Sequence, residues 1–374
     1  MEKLRFLIYL VIIVILYFLK LPCVYHTLPY VKPLWYKNTH TTFRAQKVAD
    51  DQNIPAFDLD YYYFKDIILY YNRQGEVNFK KLDTDTLASV SKKNYIIYSK
   101  VGNEITLYSR SGTREWSLDT FSYPILAPSG NHFILMSTDN TSIKMYDQFR
   151  RQVLDKKFIS TLILDFAFCN FNDNVIFGTA EGAVRLLKYD GSEIFYYEYD
   201  ESKFNYIKAV CASEKGLYYG ALAGLYNEKL LCFDKKGKLL WQDKTDFNRR
   251  HRISMHIDAE NKLFLLQGLD SLIVRNLLNG KIKYELNLSS FNLKNIKYFK
   301  KDSVADYILC LIQGYNQNLV LFFTAKGKIL WHKFIRDQYI VNCEIEKVEA
   351  NTDQNCYFFL LQASDYIYTY KIFI

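Results

Sequence analysis

The chain repeats itself. YYNRQGEVNFKKL ends on Leu82, YSRSGTREWSL on Leu118, KYDGSEIFYYEY on Tyr199, CFDKKGKLLWQDK on Lys244, NLLNGKIKYELNL on Leu288 and FFTAKGKILWHKF on Phe334. MYDQFRRQVLDKK, ending on Lys157, is a degenerate copy without the glycine. The common form is a strand, a short turn holding Gly75, Gly112, Gly191, Gly237, Gly280 or Gly327, and a second strand that often carries Trp. The turns lie about 37 to 47 residues apart, with Arg150 near the missing place. Glycine in such a turn reaches positive φ and closes a hairpin whose twist matches its strands.

A period of about 40 to 50 residues is that of a propeller blade. Upstream of each turn, two apolar strands flank a polar tip, as in HFILMS then SIKMYD or YILCLI then LVLFFT. Each unit therefore supplies strands in series for a four-stranded antiparallel blade. The expected fold is all-β, a seven-bladed propeller; an eighth blade arises if residues 60–71 begin a further sheet. The last unit stops after YFFLLQ and YIYTYKIFI without a turn or outer strand. A strand from the N-terminal side is expected to complete it, with residues 76–82 as the candidate, leaving no open edge. Composition agrees, since 32 Tyr and 27 Phe suit pleated, half-buried surfaces. All-β rings often run to this length as one domain.

Residues 6–19, FLIYLVIIVILYFL, carry no charge, and continuing to Val24 approaches the length that spans a bilayer if Lys20 snorkels. Lys3 and Arg5 precede the run, which keeps residues 1–5 cytoplasmic and exports the rest. Residues 6–24 are thus read as a single-pass signal anchor in the cytoplasmic (inner) membrane, with the remainder periplasmic or extracellular. The competing reading is a cleaved or lipidated signal, although LKLPC follows where small residues are usual. Pro22, Pro29, Pro33 and Pro55 mark residues 25–60 as a linker, leaving 61–374 as the propeller. Of the seven cysteines, Cys343 and Cys356 are placed to face each other on neighbouring strands and permit one disulfide in an exported domain.

FDKKGKLLW and FTAKGKILW, and more weakly YSRSGTREW, resemble the Asp-x-x-Gly-x-x-x-Trp repeat of the quinoprotein-like (WD40-like) propellers. That group includes the periplasmic scaffold subunits of outer-membrane assembly. The resemblance covers roughly residues 66–374. It implies that Asp234 braces its turn and that Trp241 and Trp331 pack between blades. Quinoprotein dehydrogenases use adjacent cysteines and a cation-binding acidic cluster; this sequence has no adjacent cysteines, and the lipid anchor of the scaffold subunits is not expected here.

The chemistry-bearing motifs of hydrolases, nucleotidases and metalloproteases are missing from the sequence, so no catalytic residue, cofactor or metal is indicated. SRSGTREW is similar to a sialidase Asp-box, but Ser111 occupies the Asp position, and the segment is read as a turn. His251 and His256 fall on opposite faces of a strand and cannot share a metal. A charge of +8 over 48 basic and 40 acidic residues is too dilute for a nucleic-acid face. The candidate partner-binding patch is Phe247, Arg249, Arg250, His251 and Arg252, in a connection between blades, where guanidinium groups can hold carboxylate or phosphate. Equivalent connections carry Phe121, Phe158, Phe204, Phe291 and Tyr339, either as exposed anchors or as wedges between blades. The resulting expectation is a membrane-tethered, non-enzymatic scaffold for protein partners in the cell envelope. The alternative is an enzyme or ligand sensor at the channel mouth, which requires convergent charged side chains on the innermost strands.

Overall fold

A computed structural model describes residues 30–38, 46–47, 61–64, 66–71, 77–157, 161–169, 171–201, 204–225, 228–245, 253–315, 317–335, 340–348, 356–363 and 366–373. Six sheets of four antiparallel strands follow in series. They run from Thr86–Val90 to Arg114–Asp119, Tyr123–Leu126 to Gln152–Lys157, Ile163–Phe168 to Glu193–Glu198, Ile207–Ala212 to Leu239–Lys244, Met255–Asp258 to Ile282–Asn287 and Tyr298–Val304 to Ile329–Ile335. A seventh sheet joins Ile340–Val348, Cys356–Ala363 and Tyr366–Phe373 to Tyr30–Asn38, with Gln46–Lys47 along its edge. These are the seven blades that the repeat predicts. Tyr61–Phe64, Ile67–Tyr71 and Val77–Lys81 form a further three-stranded sheet, packed on the first four-stranded blade through Ile68, Tyr70, Leu82, Ala88 and Tyr95. The segment that left the count open therefore does begin another sheet. Among the described residues the one helical element is the turn Ser289–Phe291, and no helix is long and apolar enough to cross a membrane. The apolar run 6–24 lies outside the described residues.

The closing strand is not the expected one. Val77–Lys81 pairs with Ile67–Tyr71, whereas Tyr30–Asn38, inside the segment read as a linker, pairs with Tyr366–Phe373 from Tyr30 opposite Phe373 to Asn38 opposite Tyr366. Pro33 hid it, because proline normally argues against a strand. An outer strand needs only one full hydrogen-bonded edge, and the register here slips between Pro33 and Trp35, an irregularity of the kind at which proline is tolerated in sheets.

The middle strands explain the long apolar runs. Val175–Thr179 and Leu263–Gln267 are buried at every position, because each blade is covered on both faces by its neighbours. The repeat itself is an interlock between blades. Gly112, Gly191, Gly237, Gly280 and Gly327 all have positive φ, and Arg150 adopts φ 65 in the place without glycine. A large side chain four residues after each turn position packs on the next blade. A Cβ on Gly280 would lie 2.7 Å from the Trp241 ring, one on Gly327 2.8 Å from Tyr284, and one on Gly237 2.3 Å from Phe195. Trp116 and Trp241 also donate their indole N–H across the seam, to the carbonyls of Gln148 (2.9 Å) and Leu277 (2.7 Å). Trp331 packs on Phe359 and Tyr370 of the seventh sheet, so both tryptophan roles implied by the repeat hold.

The turns between first and second strands and between third and fourth strands emerge at one end of each blade, the turn face. The remaining hairpin turns and the connections between blades emerge at the other, the connector face. Turn-face contacts run from blade to blade: Lys93 Nζ donates to Asn131 Oδ1 (2.7 Å), His132 Nδ1 meets Asp173 Oδ2 (3.0 Å), Phe171 N donates to the Glu214 carbonyl (3.2 Å) and Lys215 pairs with Glu260 (3.2 Å).

Candidate functional site

The innermost strands are where the enzyme and scaffold readings part. Each first strand is an edge strand, with backbone N–H groups that its own sheet leaves unpaired. Side chains of the preceding blade accept from them. Tyr63 Oη accepts from Ala88 N (3.1 Å), Ser89 Oγ from Leu126 N (2.8 Å), Asp165 Oδ2 from Val210 N (2.8 Å), Ser254 Oγ from Phe299 N (3.2 Å) and Asp302 Oδ2 from Ile345 N (2.8 Å). The buried Asp258 accepts from Asn261 N in its own turn (3.1 Å) and pairs with Lys301 of the next blade (3.6 Å). Burial pushes the Asp302 carboxyl up to about 6 against the lowering pull of the Ile345 N–H and Lys301. Burial opposes ionisation of Asp258 as well, but Lys301 and the Asn261 bonds outweigh it and its carboxyl sits below the usual range. These carboxylates join blade to blade. Among the described residues no group of three or more His, Cys, Asp and Glu is placed to hold a metal ion.

One cluster on the turn face has a different character. Ser129 donates its hydroxyl to Asp173 Oδ2, which also meets His132 Nδ1 at 3.0 Å, and the imidazole packs on the half-exposed Tyr189 at 4.9 Å. Asp173 is buried, in a left-handed conformation (φ 53), and its Oδ1 has no hydrogen-bond partner. Sequence reasoning missed this group, because Ser129 and Asp173 stand in the turns of different blades. Aligning the first turn of each repeat would have brought them together.

The sequence candidates divide sharply. Phe247, Arg249, Arg250, His251 and Arg252 lie outside the described residues; the flanking Lys244 and Met255 put the ends of their connection on the connector face. Phe158 and Tyr339 also lie outside them. Of the other connection aromatics, Phe121 is 74% exposed, whereas Phe204 and Phe291 are half-buried, Phe291 against the Leu263–Phe323 core and the His332 ring (5.0 Å). The aromatics are therefore not a uniform ring. His256 meets the Phe299 carbonyl (3.0 Å) and packs on its ring, a satisfied histidine. SRSGTREW is a turn, in which Ser109 Oγ accepts from Thr113 N (3.1 Å). Asp234 Oδ1 accepts from Lys236 N (2.8 Å) and Lys238 N (2.9 Å), the bracing role that the repeat implies. Thr324 and Asp147 brace their own turns in the same way.

The disulfide that the sequence permits does not form. Cys343 stands opposite Leu361 and Cys356 opposite Val348, so the register holds the two cysteines several positions apart along paired strands, and Cys343 forms no disulfide. Cys169, Cys211, Cys232 and Cys310 are also free and buried. Burial pushes Cys169 up to about 11 and Cys232 to about 12, so these thiols are poor nucleophiles.

Four-stranded sheets in series, stitched along their first strands and closed by a strand from the N-terminal side, define a β-propeller. The chain belongs to the β-propeller protein family, whose model matches residues 1–294. Among solved structures, BamB from Moraxella catarrhalis matches over 91% of this chain and 97% of its own, at 13% identity and a TM-score of 0.58. Sqt1 from Saccharomyces cerevisiae matches over 81% of this chain and 90% of its own, at 10% identity and a TM-score of 0.60. At such identities the likeness concerns the fold. No curated protein matches the sequence.

Proposed function

We propose that the protein is a membrane-anchored, extracytoplasmic propeller that acts as a non-enzymatic scaffold, capturing partner proteins in the cell envelope through its connector face. The observation that carries this reading is the use of the inner strands. Asp165, Asp258 and Asp302, the groups a channel-mouth site would draw on, are engaged in joining blades, while large apolar side chains stand out from the connector face. Phe121 and Tyr315 there are 74% and 71% exposed, a form of surface suited to anchoring a partner. The uncharged run at residues 6–19 supports tethering.

Crosslinking in native membranes followed by capture of the full chain tests the reading. A constant partner set is expected, depleted by Phe121→Ser and by replacing Arg249, Arg250 and Arg252 with Glu. Repeated recovery of the propeller alone would refute the scaffold. Capture unchanged by the arginine substitutions would remove that patch from it.

A further inference from the structure

The strand that closes the ring also fixes which face can meet a membrane. Tyr30 pairs with Phe373, and Phe373 pairs with Cys356 at the start of the strand that follows Ile340–Val348. That end of the seventh sheet is the turn end. Asp302, close to the first turn of its blade, reaches Ile345 near the end of Ile340–Val348, and Tyr307 meets Tyr357 edge to face at 5.0 Å just past the corresponding turns. Tyr30 therefore enters the ring on the turn face. Only residues 25–29 separate it from the apolar run, a reach of at most about 18 Å if fully extended.

The turn face has the chemistry for that position. The outer turn of each four-stranded blade presents a basic side chain: Arg110, Arg150, Lys188, Lys236, Lys281 and Lys326 in order round the ring. The hairpin turns at the opposite end carry Asp139, Glu181 and Asp270, with Lys100 in the corresponding turn of the first four-stranded blade. Phe149, in an outer turn, and Phe171, in the first turn of the next blade, are 68% and 75% exposed on the same face. Lysines within a Debye length of an anionic surface are attracted to it, and aromatic rings settle at the headgroup level.

We infer that the turn face docks on an anionic phospholipid surface, so that the propeller lies against the bilayer with its connector face turned outward. The inference rests on the anchored reading proposed above. Its arrangement differs from a propeller swinging on a free tether, in which both faces are equally open to solvent.

The test is an amine-acetylation footprint of the full chain in vesicles of phosphatidylglycerol or of phosphatidylcholine, read by mass spectrometry. Lys188, Lys236 and Lys326 should react several-fold more slowly in phosphatidylglycerol. The protection should be absent in phosphatidylcholine and lost in about 1 M salt, where the Debye length falls to about 3 Å. Lys100 and Lys294 on the connector face should react alike in both lipids. Phe149→Ser with Phe171→Ser should weaken the protection, and Phe121→Ser should leave it unchanged. Equal reactivity of the two faces in phosphatidylglycerol would overturn the inference, as would protection seen only in native membranes, which would indicate a protein partner. A carbonate wash reads the anchor separately. Should the chain wash off, flotation with phosphatidylglycerol but not phosphatidylcholine vesicles would still support the docking face, and flotation with neither would overturn it.

Discussion

Gly280→Ala tests the interlock between blades, because the conformational and steric parts of its cost can be measured apart. Gly280 and Gly112 both occupy outer turns at positive φ, +72 and +90. A Cβ at Gly112 meets nothing nearer than the Tyr95 hydroxyl at 3.8 Å, whereas one at Gly280 would lie 2.7 Å from the Trp241 ring. Gly112→Ala should therefore cost only the left-handed backbone penalty, about 1–2 kcal/mol. Gly280→Ala adds the overpacking of a buried ring, about 1–3 kcal/mol more. Trp241→Ala alone is severe, about 3–5 kcal/mol, and it also leaves the Leu277 carbonyl without its indole donor. With the ring removed, however, adding Gly280→Ala should cost no more than Gly112→Ala does. Urea unfolding followed by far-ultraviolet circular dichroism measures all four proteins. Equal losses for Gly112→Ala and Gly280→Ala, or strict additivity of Gly280→Ala with Trp241→Ala, would refute the interlock.

Other expectations follow from the same geometry. Arg150→Gly should stabilise the chain by up to about 1 kcal/mol, since Arg150 holds a left-handed conformation that its neighbouring turns give to glycine; urea midpoints read this. Asp302 is raised from 3.8 to about 6 by burial, so the folded chain holds its proton more tightly than the unfolded one. Its contribution is present in full below pH 4 and is lost as pH rises through 6, a decline on the order of 3 kcal/mol. Asp302→Asn keeps an acceptor for Ile345 N and should flatten that decline; an unchanged slope of stability between pH 4 and 6 would show that another group carries it. Cys169, Cys211, Cys232, Cys310 and Cys343 should resist iodoacetamide in the native chain and react on unfolding, as alkylation followed by mass spectrometry would reveal.

Much of the ring was legible because its constraints recur. A turn needing positive φ, a brace such as Asp234 or Thr324, and a large side chain four residues on are local, and they repeat with every blade. The closing strand was not legible, because Pro33 and its irregular neighbourhood imitate a linker. Nothing local in YVKPLWYKN records that only one full edge needs to pair with Tyr366–Phe373. The seam bonds were hidden for a different reason. Nothing local in the sequence marks Asp165 and Asp302 as acceptors for the next blade's Val210 and Ile345 amides, which lie 2.8 Å away. Cys343 and Cys356 do lie on paired strands, but register decides bonding, and register is set by the whole sheet.

Tyr30–Asn38, which follows the apolar run, pairs as the closing strand of the ring, so the proposed tether and the propeller would form one mechanical unit. Hydrogen exchange on the full chain in vesicles measures it directly. Amides of Tyr30–Asn38 that bond to Tyr366–Phe373 should be protected together with that strand and released in the same opening event. Rapid exchange throughout residues 30–38 while Tyr366–Phe373 stays protected would contradict the account.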